Sequence, residues 1–202
     1  MLRALPAVAE VIVVDGQSTD GSAQVASREG AAVLEVPPCR GAQARAGAQR
    51  AASGWLLFLH ADTRLDAAAW AAIRRAVAQG DVGRAGTFRL KLDDGAWQAR
   101  LIELGVRLRV ALLALPYGDQ GLLIHRSLYE QAGGYRDLPL MEDVDLVRRL
   151  GRRRLARLDG TATTSAERWR RRGWTRQSLA NTRCLLLYML GVPAERIAGM
   201  RR

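Results

Sequence analysis

The sequence has few lysines, few cysteines and no long apolar run, and each shortage narrows what the protein can be. Only Lys91 among the 31 basic residues is a lysine, a skew more typical of a GC-rich genome than of a function. The two cysteines, Cys39 and Cys184, lie far apart without metal-type spacing and indicate at most a reducing compartment, here predicted to be the cytoplasm. Residues 1–6 lack the apolar core of a signal peptide, and neither 101–116 nor 184–192 is suited to span a membrane.

What the chain has instead is an apolar content of 49% over 202 residues, which suffices for a fully formed core. It contains no internal repeat, linker or low-complexity block. The sequence therefore predicts a single globular domain over 1–202.

The net charge of +11 is concentrated late in the chain, where residues 148–176 carry eleven arginines against Asp159 and Glu167. Such a patch suits nucleic acid, an anionic membrane surface or a diphosphate ligand. No recognised nucleic-acid-binding motif accompanies it, so we expect no nucleic-acid partner. The segments 101–116 and 184–192 suit amphipathic helices on a membrane surface, although packing in the core is the commoner explanation for such segments.

Strand-type and helix-type patterns alternate along the first half of the chain. Strands are predicted at 11–14, 32–36, 55–59 and 82–92, and helices at 20–29, 41–52 and 66–79. This order predicts an α/β fold with a mainly parallel, doubly wound central sheet flanked by helices. The second half is predicted to be mostly helical, at 96–115, 127–132, 142–150 and 174–190, with short strands at 122–125 and 155–158.

The first predicted strand leads directly into Asp15 and a glycine-rich turn. In an open α/β sheet, ligands bind at the carboxyl ends of the strands. A carboxylate there can accept hydrogen bonds from a nucleobase or a ribose, and Gly16 lets a flat ligand approach the backbone. An ordinary βα turn with Asp20 as a helix N-cap explains the same residues.

A second strand end carries His60 and Asp62, two residues apart. Together they can coordinate one divalent cation, and the imidazole would favour manganese over magnesium. A core histidine with satisfied hydrogen bonds is the alternative for His60. Further along, Glu142, Asp143 and Asp145 open a helix, where the helix dipole favours acidic residues whether or not one of them is a general base.

These three motifs, in this order, resemble the family 2 glycosyltransferases from about Glu10 to the C-terminus. The nearest resemblance is to a small bacterial subgroup with a Leu-His-Ala-Asp-Thr signature, here 59–63, and a Gly-Asp-Gln-Gly loop, here 118–121. The resemblance implies a GT-A-type, Rossmann-like domain with a nucleotide-binding half at 1–92 and an acceptor and catalytic half at 93–202. It implies inverting, metal-dependent transfer from a nucleotide-diphospho-sugar, with UDP favoured, to an acceptor hydroxyl. The basic, apolar late region makes a lipid-linked acceptor and peripheral contact with the inner face of the membrane attractive.

The resemblance also implies roles for individual residues. Asp143 matches the catalytic base, with Glu142 beside it, while Asp62 and His60 occupy the place of the metal motif for Mn²⁺ or Mg²⁺. The predicted nucleotide contacts are Asp15, Gly16, Ser18, Asp20, Arg40 and Arg45. The predicted diphosphate contacts are Arg171, Arg172 and Trp174, and the predicted acceptor contacts are Gly118, Asp119 and Gln120.

Two departures from the family pattern matter. His60 replaces the usual first aspartate of the metal motif, and the strand that precedes the 11–14 strand in relatives is expected to be missing here. Two other readings of the chain therefore remain open. One is a nucleotidyltransferase of similar fold, and the other is a catalytically impaired basic protein that binds a membrane or a polyanion.

Overall fold

The computed structural model describes residues 10–200, which form two β-sheets covered by helices. The strands are β1 (Ile12–Asp15), β2 (Ala32–Glu35), β3 (Trp55–Phe58), β4 (Thr63–Leu65), β5 (Ala85–Leu92), β6 (Leu122–His125) and β7 (Leu155–Thr164). The helices are α1 (Ser22–Arg28), α2 (Arg40–Arg50), α3 (Ala67–Gln79), α4 (Trp97–Leu113), α5 (Arg126–Gln131), α6 (Glu142–Leu150), α7 (Glu167–Arg172), α8 (Trp174–Met189) and α9 (Ala194–Gly199). Short 3-10 turns lie at Gly118–Gln120 and Arg152–Arg154.

The α/β class is confirmed, but the larger sheet is mixed rather than mainly parallel. β1 and β2 form a parallel pair, whereas the five-stranded sheet has the order β3-β6-β5-β7-β4. Only β5 and β7 run parallel within it, and its other three pairs are antiparallel. The prediction of a mainly parallel sheet was wrong because β6 and β7 follow helices, as strands of a parallel sheet do. In the structure, β6 instead pairs with β3 in the antiparallel direction.

Most predicted elements form within one to three residues of their expected bounds, because their local signals are strong. In α3, for example, Asp66 accepts a hydrogen bond from the Ala69 N–H at 2.8 Å, and Gly80 ends the helix in a left-handed conformation. The sequence did not predict β4, α7 or α9. β7 extends to Thr164, beyond the predicted end at 158, because it pairs with both β5 and β4.

The antiparallel pairing determines which loops meet. Phe58 at the end of β3 pairs with Leu122 at the start of β6, so the 3-10 turn before β6 lies beside the segment that follows β3. Thr63 at the start of β4 pairs with Thr164 at the end of β7, and their hydroxyls are 3.2 Å apart. Residues 59–62 are therefore held between the start of β6 and the end of β7.

The apolar interior divides into several clusters between the sheet and the helices. The largest joins the β3–β6 pair to α5 and α6 through Leu56, Ile124, Leu128 and Leu146, all almost completely buried. A second cluster joins α6 to α8 and α9. The amino end of α6 is therefore fixed from two sides. No helix within residues 10–200 has both the length and the apolar character to cross a membrane.

Candidate active site

A cavity of about 560 Å³ opens where the ends of β3 and β7 and the turn before β6 meet the amino end of α6. Its lining comes from sequence-distant segments and is strongly charged. The ionisable side chains that line it are Arg40, His60, Asp62, Tyr117, Asp119, Asp143, Glu167, Arg168, Arg171 and Arg172. Carboxylates and guanidinium groups thus share one cavity, an arrangement able to hold both a metal ion and a phosphate-bearing ligand.

Asp143, in the first turn of α6, is held in place by the backbone. Its carboxylate accepts one hydrogen bond from the Gly118 N–H and one from the Val144 N–H, each at 2.7 Å. The contact with Gly118 joins the predicted catalytic residue to the predicted acceptor loop. Both carboxylate oxygens are oriented, and their remaining lone pairs can accept a proton from a ligand hydroxyl.

Asp119 is half-buried and lines the same cavity, and its buried Oδ1 has no hydrogen-bond partner among the described residues. Burial raises the pKa of this carboxyl to about 6, and Arg109 opposes that rise. The negative charge of Asp143 adds to it. A buried polar atom without a partner is costly, so this oxygen is well placed to bind a ligand hydroxyl.

Glu142 is the neighbour of Asp143, and its side chain is only 6% exposed. Its Oε1 forms an ion pair with Arg40 Nε at 3.0 Å, whereas Oε2 is buried and unpaired among residues 10–200. Burial and, after it, the charge of Asp143 raise the pKa of Glu142 to about 7, and Arg40 acts in the opposite direction. Glu142 is absent from the cavity lining and reaches the site through Arg40.

Arg40 also contacts His60, because its Nη2 lies 2.9 Å from His60 Nε2. A guanidinium can only donate, so His60 Nε2 accepts and the imidazole is neutral. Burial and, after it, the charge of Arg40 lower the pKa of His60 to about 4, against the opposing charges of Asp143 and Asp62. The Nε2 lone pair is therefore already used, and a metal ion would have to displace Arg40 to bind there.

Asp62 lies in the turn between β3 and β4, as the sequence signature suggested. One of its oxygens accepts a hydrogen bond from the Thr164 hydroxyl at 3.2 Å. Within the described part of the chain, no group of three His, Cys, Asp or Glu side chains is arranged to hold a metal ion. Asp62 still suits a cation such as Mg²⁺, which often takes one or two carboxylates and completes its shell with water and phosphate.

The basic wall of the cavity comes from α7, which the sequence did not predict as a helix. Arg168, Arg171 and Arg172 are spaced three and four residues apart, so they share a helix face, and all three line the cavity. Trp169 lines it as well, and its indole N–H has no partner among residues 10–200. Arg171 and Arg172 were predicted from the sequence, whereas Arg168 and Trp169 were not. The signal that could have identified them is helical spacing, because Arg168 lies three and four residues before Arg171 and Arg172 and Trp169 lies three residues before Arg172.

The predicted nucleotide-binding residues at the end of β1 lie outside this cavity. Asp15 is buried, and its pKa is lowered by hydrogen bonds from the hydroxyl and the N–H of Ser18, the latter at 2.8 Å. Gly16 lies against the amide of Gln43. Hydrogen bonds from the hydroxyl and the N–H of Ser22, the latter at 3.0 Å, lower the pKa of Asp20 and give it a role at the start of α1. Arg40 and Gln43 both belong to α2, so this helix connects the two regions.

Three further predicted contacts also lie outside the cavity lining. Arg45 forms an ion pair with Asp137 at 2.6 Å. Gln120 is buried and holds its own loop, because it donates to the Phe88 carbonyl at 2.9 Å and accepts from the Tyr117 N–H at 3.3 Å. Trp174 packs with Trp169 and Ile102 in an apolar cluster at the start of α8.

Solved structures with a similar fold exist, although no protein-family model and no curated protein sequence matches the chain. The mannosyl-3-phosphoglycerate synthase of Rubrobacter xylanophilus is 18% identical with a TM-score of 0.56, over 91% of this chain and 65% of that protein. The glucosyl-3-phosphoglycerate synthase of Mycobacterium tuberculosis, solved with Mn²⁺ and UDP-glucose, is 19% identical with a TM-score of 0.54. That match covers 92% of this chain and 70% of the synthase.

The chain therefore spans a little under two thirds of the length of the first of these synthases. At such low identity the likeness shows the fold alone, and that fold is the GT-A-like α/β fold expected from the sequence resemblance. The narrower assignment to family 2 stays a prediction.

Proposed function

We propose that this protein is an inverting, metal-dependent glycosyltransferase that transfers a sugar from a nucleotide-diphospho-sugar to an acceptor hydroxyl. The observation that carries the proposal is that carboxylates and guanidinium groups line one cavity. Asp62, Asp119 and Asp143 line it together with the three arginines of α7. A diphosphate leaving group suits the arginines, and a hydroxyl nucleophile suits the carboxylates.

In the proposed reaction, the acceptor oxygen attacks the anomeric carbon of the sugar. As the new bond forms, Asp143 takes the proton of the hydroxyl, and the bond from carbon to the diphosphate oxygen breaks with both electrons going to the diphosphate. This single displacement inverts the anomeric centre. The guanidinium groups of Arg168, Arg171 and Arg172 stabilise the negative charge that develops on the diphosphate.

Asp62 is the residue we propose for holding a divalent cation, Mn²⁺ or Mg²⁺, together with His60 if Arg40 moves away from Nε2. Such an ion would supply positive charge beside the departing diphosphate. One carboxylate and a diphosphate are a sufficient basis for Mg²⁺ binding. The Mycobacterium tuberculosis synthase of similar fold was solved with Mn²⁺ and UDP-glucose, which supports this choice of ion and of a UDP-sugar.

The nucleoside is proposed to bind at the end of β1, where Asp15, Gly16 and Ser18 surround the turn. Asp15 is kept ionised by its hydrogen bonds with Ser18, and an ionised carboxylate accepts hydrogen bonds from ribose hydroxyls or a base N–H. Asp20 and Arg45 have local partners, Ser22 and Asp137, so any nucleotide contact from them would be secondary.

The acceptor is proposed to enter beside Gly118 and Asp119, the latter offering its unpaired Oδ1. A lipid-linked hydroxyl is the acceptor class we favour, in keeping with a place in the cytoplasm at the inner face of the membrane. Both cysteines are free, which agrees with a reducing compartment.

Calorimetry with UDP, GDP and CDP, with and without Mn²⁺, tests the binding half of the proposal. We expect one nucleotide to bind more tightly with Mn²⁺, and we expect Asp62→Asn to abolish that metal dependence. The matched control is Asp159→Asn, a carboxylate that is 84% exposed and pairs only with Arg75 among the contacts described. If no nucleotide binds with or without Mn²⁺, the proposal fails.

Slow release of the nucleoside diphosphate from UDP-sugars in water provides an activity readout that needs no known acceptor. We expect Asp143→Asn to reduce this turnover about 100-fold or more while UDP binding is retained, since a general base contributes that much. Undiminished turnover would remove Asp143 as the base. Release of pyrophosphate from a nucleoside triphosphate and a sugar phosphate would instead identify a nucleotidyltransferase.

A further inference from the structure

The outward face of α4 is apolar where a surface helix is normally polar. Trp97, Leu101, Leu104, Leu108 and Leu112 recur every three or four residues, so they form one stripe along the helix. Each of these side chains is between 48% and 70% exposed. The sequence of residues 101–116 allowed two interpretations, packing in the core or lying on a surface. The exposure of the stripe shows that these side chains do not pack in the core.

A second apolar strip lies on the neighbouring helix. Leu179, Leu186 and Met189 are exposed on α8, and Leu190, which follows it directly, is 81% exposed. The two helices are neighbours, because Ile102 of α4 packs in the same cluster as Trp174 of α8. We call these residues of α4 and α8 the α4–α8 apolar surface.

The exposed charges that α4 and α8 themselves contribute are predominantly of one sign. Arg107 of α4 and Arg176 and Arg183 of α8 are exposed. The only acidic residue of α4, Glu103, is buried and accepts hydrogen bonds from the Leu92 N–H and from Arg100, and α8 contains no acidic residue. The surface therefore presents leucine, tryptophan and arginine without an exposed carboxylate from either helix.

We propose that the α4–α8 apolar surface docks onto an anionic lipid bilayer. Leucines that enter the acyl boundary, an exposed tryptophan and flanking arginines are the features that hold an interfacial helix on anionic lipid. A second copy of the chain fits less well, because it would bring the same arginines against each other. The net charge of +11 adds long-range attraction to a negative surface.

Docking there would also place the cavity close to lipid. Asn181 of α8 lines the cavity, and its helical position is roughly opposite to those of Leu179 and Leu186. The cavity and the bilayer would then lie on two sides of one helix, whose diameter with side chains is about 10–12 Å. The docking proposal itself does not depend on sugar transfer, since vesicle binding can be measured without any sugar donor.

The test is cosedimentation of the full chain with phosphatidylcholine vesicles and with vesicles of equal parts phosphatidylcholine and phosphatidylglycerol. We expect strong binding to the second kind alone. The double variant Leu104→Asn and Leu108→Asn should bind the anionic vesicles at least about tenfold more weakly, because two exposed leucines can no longer enter the acyl boundary. The matched control, Val25→Asn and Val77→Asn, changes exposed apolar residues on α1 and α3 and should bind like the wild type.

Two further measurements separate this proposal from general attraction of a basic protein to anionic lipid. The fluorescence of Trp97, 68% exposed in the free protein, should shift to shorter wavelength on vesicle binding, and Trp97→Phe should remove that shift. Equal binding by the leucine double variant and the wild type would overturn the proposal. So would a wild-type dimer that does not bind vesicles and that the leucine double variant disperses, because the surface would then be an interface between copies.

Discussion

Replacing Glu142 by glutamine tests whether the buried carboxyl beside Asp143 is as strained electrostatically as its surroundings indicate. Its side chain is 6% exposed, and Oε2 finds no partner among the described residues. Burial and the charge of Asp143 raise its pKa to about 7 from an ordinary value of 4.5. Glutamine keeps the shape and can still accept from Arg40, but it carries no charge.

The sign of the effect follows from proton binding. The folded protein holds a proton on Glu142 that the unfolded chain releases between pH 4.5 and about 7, so this group lowers stability as pH rises through that window. Each pH unit of such a difference is worth about 1.4 kcal/mol. Across the whole window, Glu142 therefore lowers the free energy of unfolding by about 3 kcal/mol, and this loss is complete above about pH 7.

Urea unfolding at a series of pH values measures this directly. The free energy of unfolding of Glu142→Gln minus that of the wild type should increase by about 3 kcal/mol between pH 4.5 and about pH 8. Taking the difference removes contributions from groups that both proteins share. As a control, Glu195→Gln replaces an exposed carboxylate of α9, and its difference from the wild type should stay nearly constant. A flat difference for Glu142→Gln would refute the reasoning.

Two glycine substitutions test the close packing around the site. In Gly118→Ala the new methyl would lie 2.5 Å from His60 Nε2, so we expect His60 to be displaced. In the UDP-sugar assay, kcat/KM should fall about tenfold or more. The control is Gly95→Ala, whose methyl meets open space. In Gly41→Ala the methyl would overlap the Arg136 carbonyl oxygen and lie 2.8 Å from the Leu138 N, both backbone atoms, so we expect a loss of about 3 kcal/mol or more in urea unfolding. Gly105→Ala, in open space within α4, should instead gain about 0.5–1 kcal/mol, and equal effects at the two positions would contradict the packing argument.

The residues that local sequence patterns identified best are those whose positions depend on local structure. Asp143 was placed at a helix start and lies in the first turn of α6, whose bounds match the prediction. Asp62 was placed beyond a buried strand and lies in the turn after β3. Contacts between distant segments have no such local signal: Trp174 packs in an apolar cluster, and Arg45 is paired with Asp137.

By itself, the sequence determined the α/β class, the bounds of most helices and strands, and the positions of Asp62 at a strand end, Asp119 in a loop and Asp143 at a helix start. These properties depend on periodicity and on capping within a few residues. Only the tertiary structure decided that β6 runs antiparallel to β3, so that the Gly118 N–H reaches Asp143. It also decided that Arg40 occupies the Nε2 lone pair of His60 and that the leucines of α4 face outward. Such contacts and exposures join residues far apart in the chain, and no local pattern in the sequence records which of them will meet.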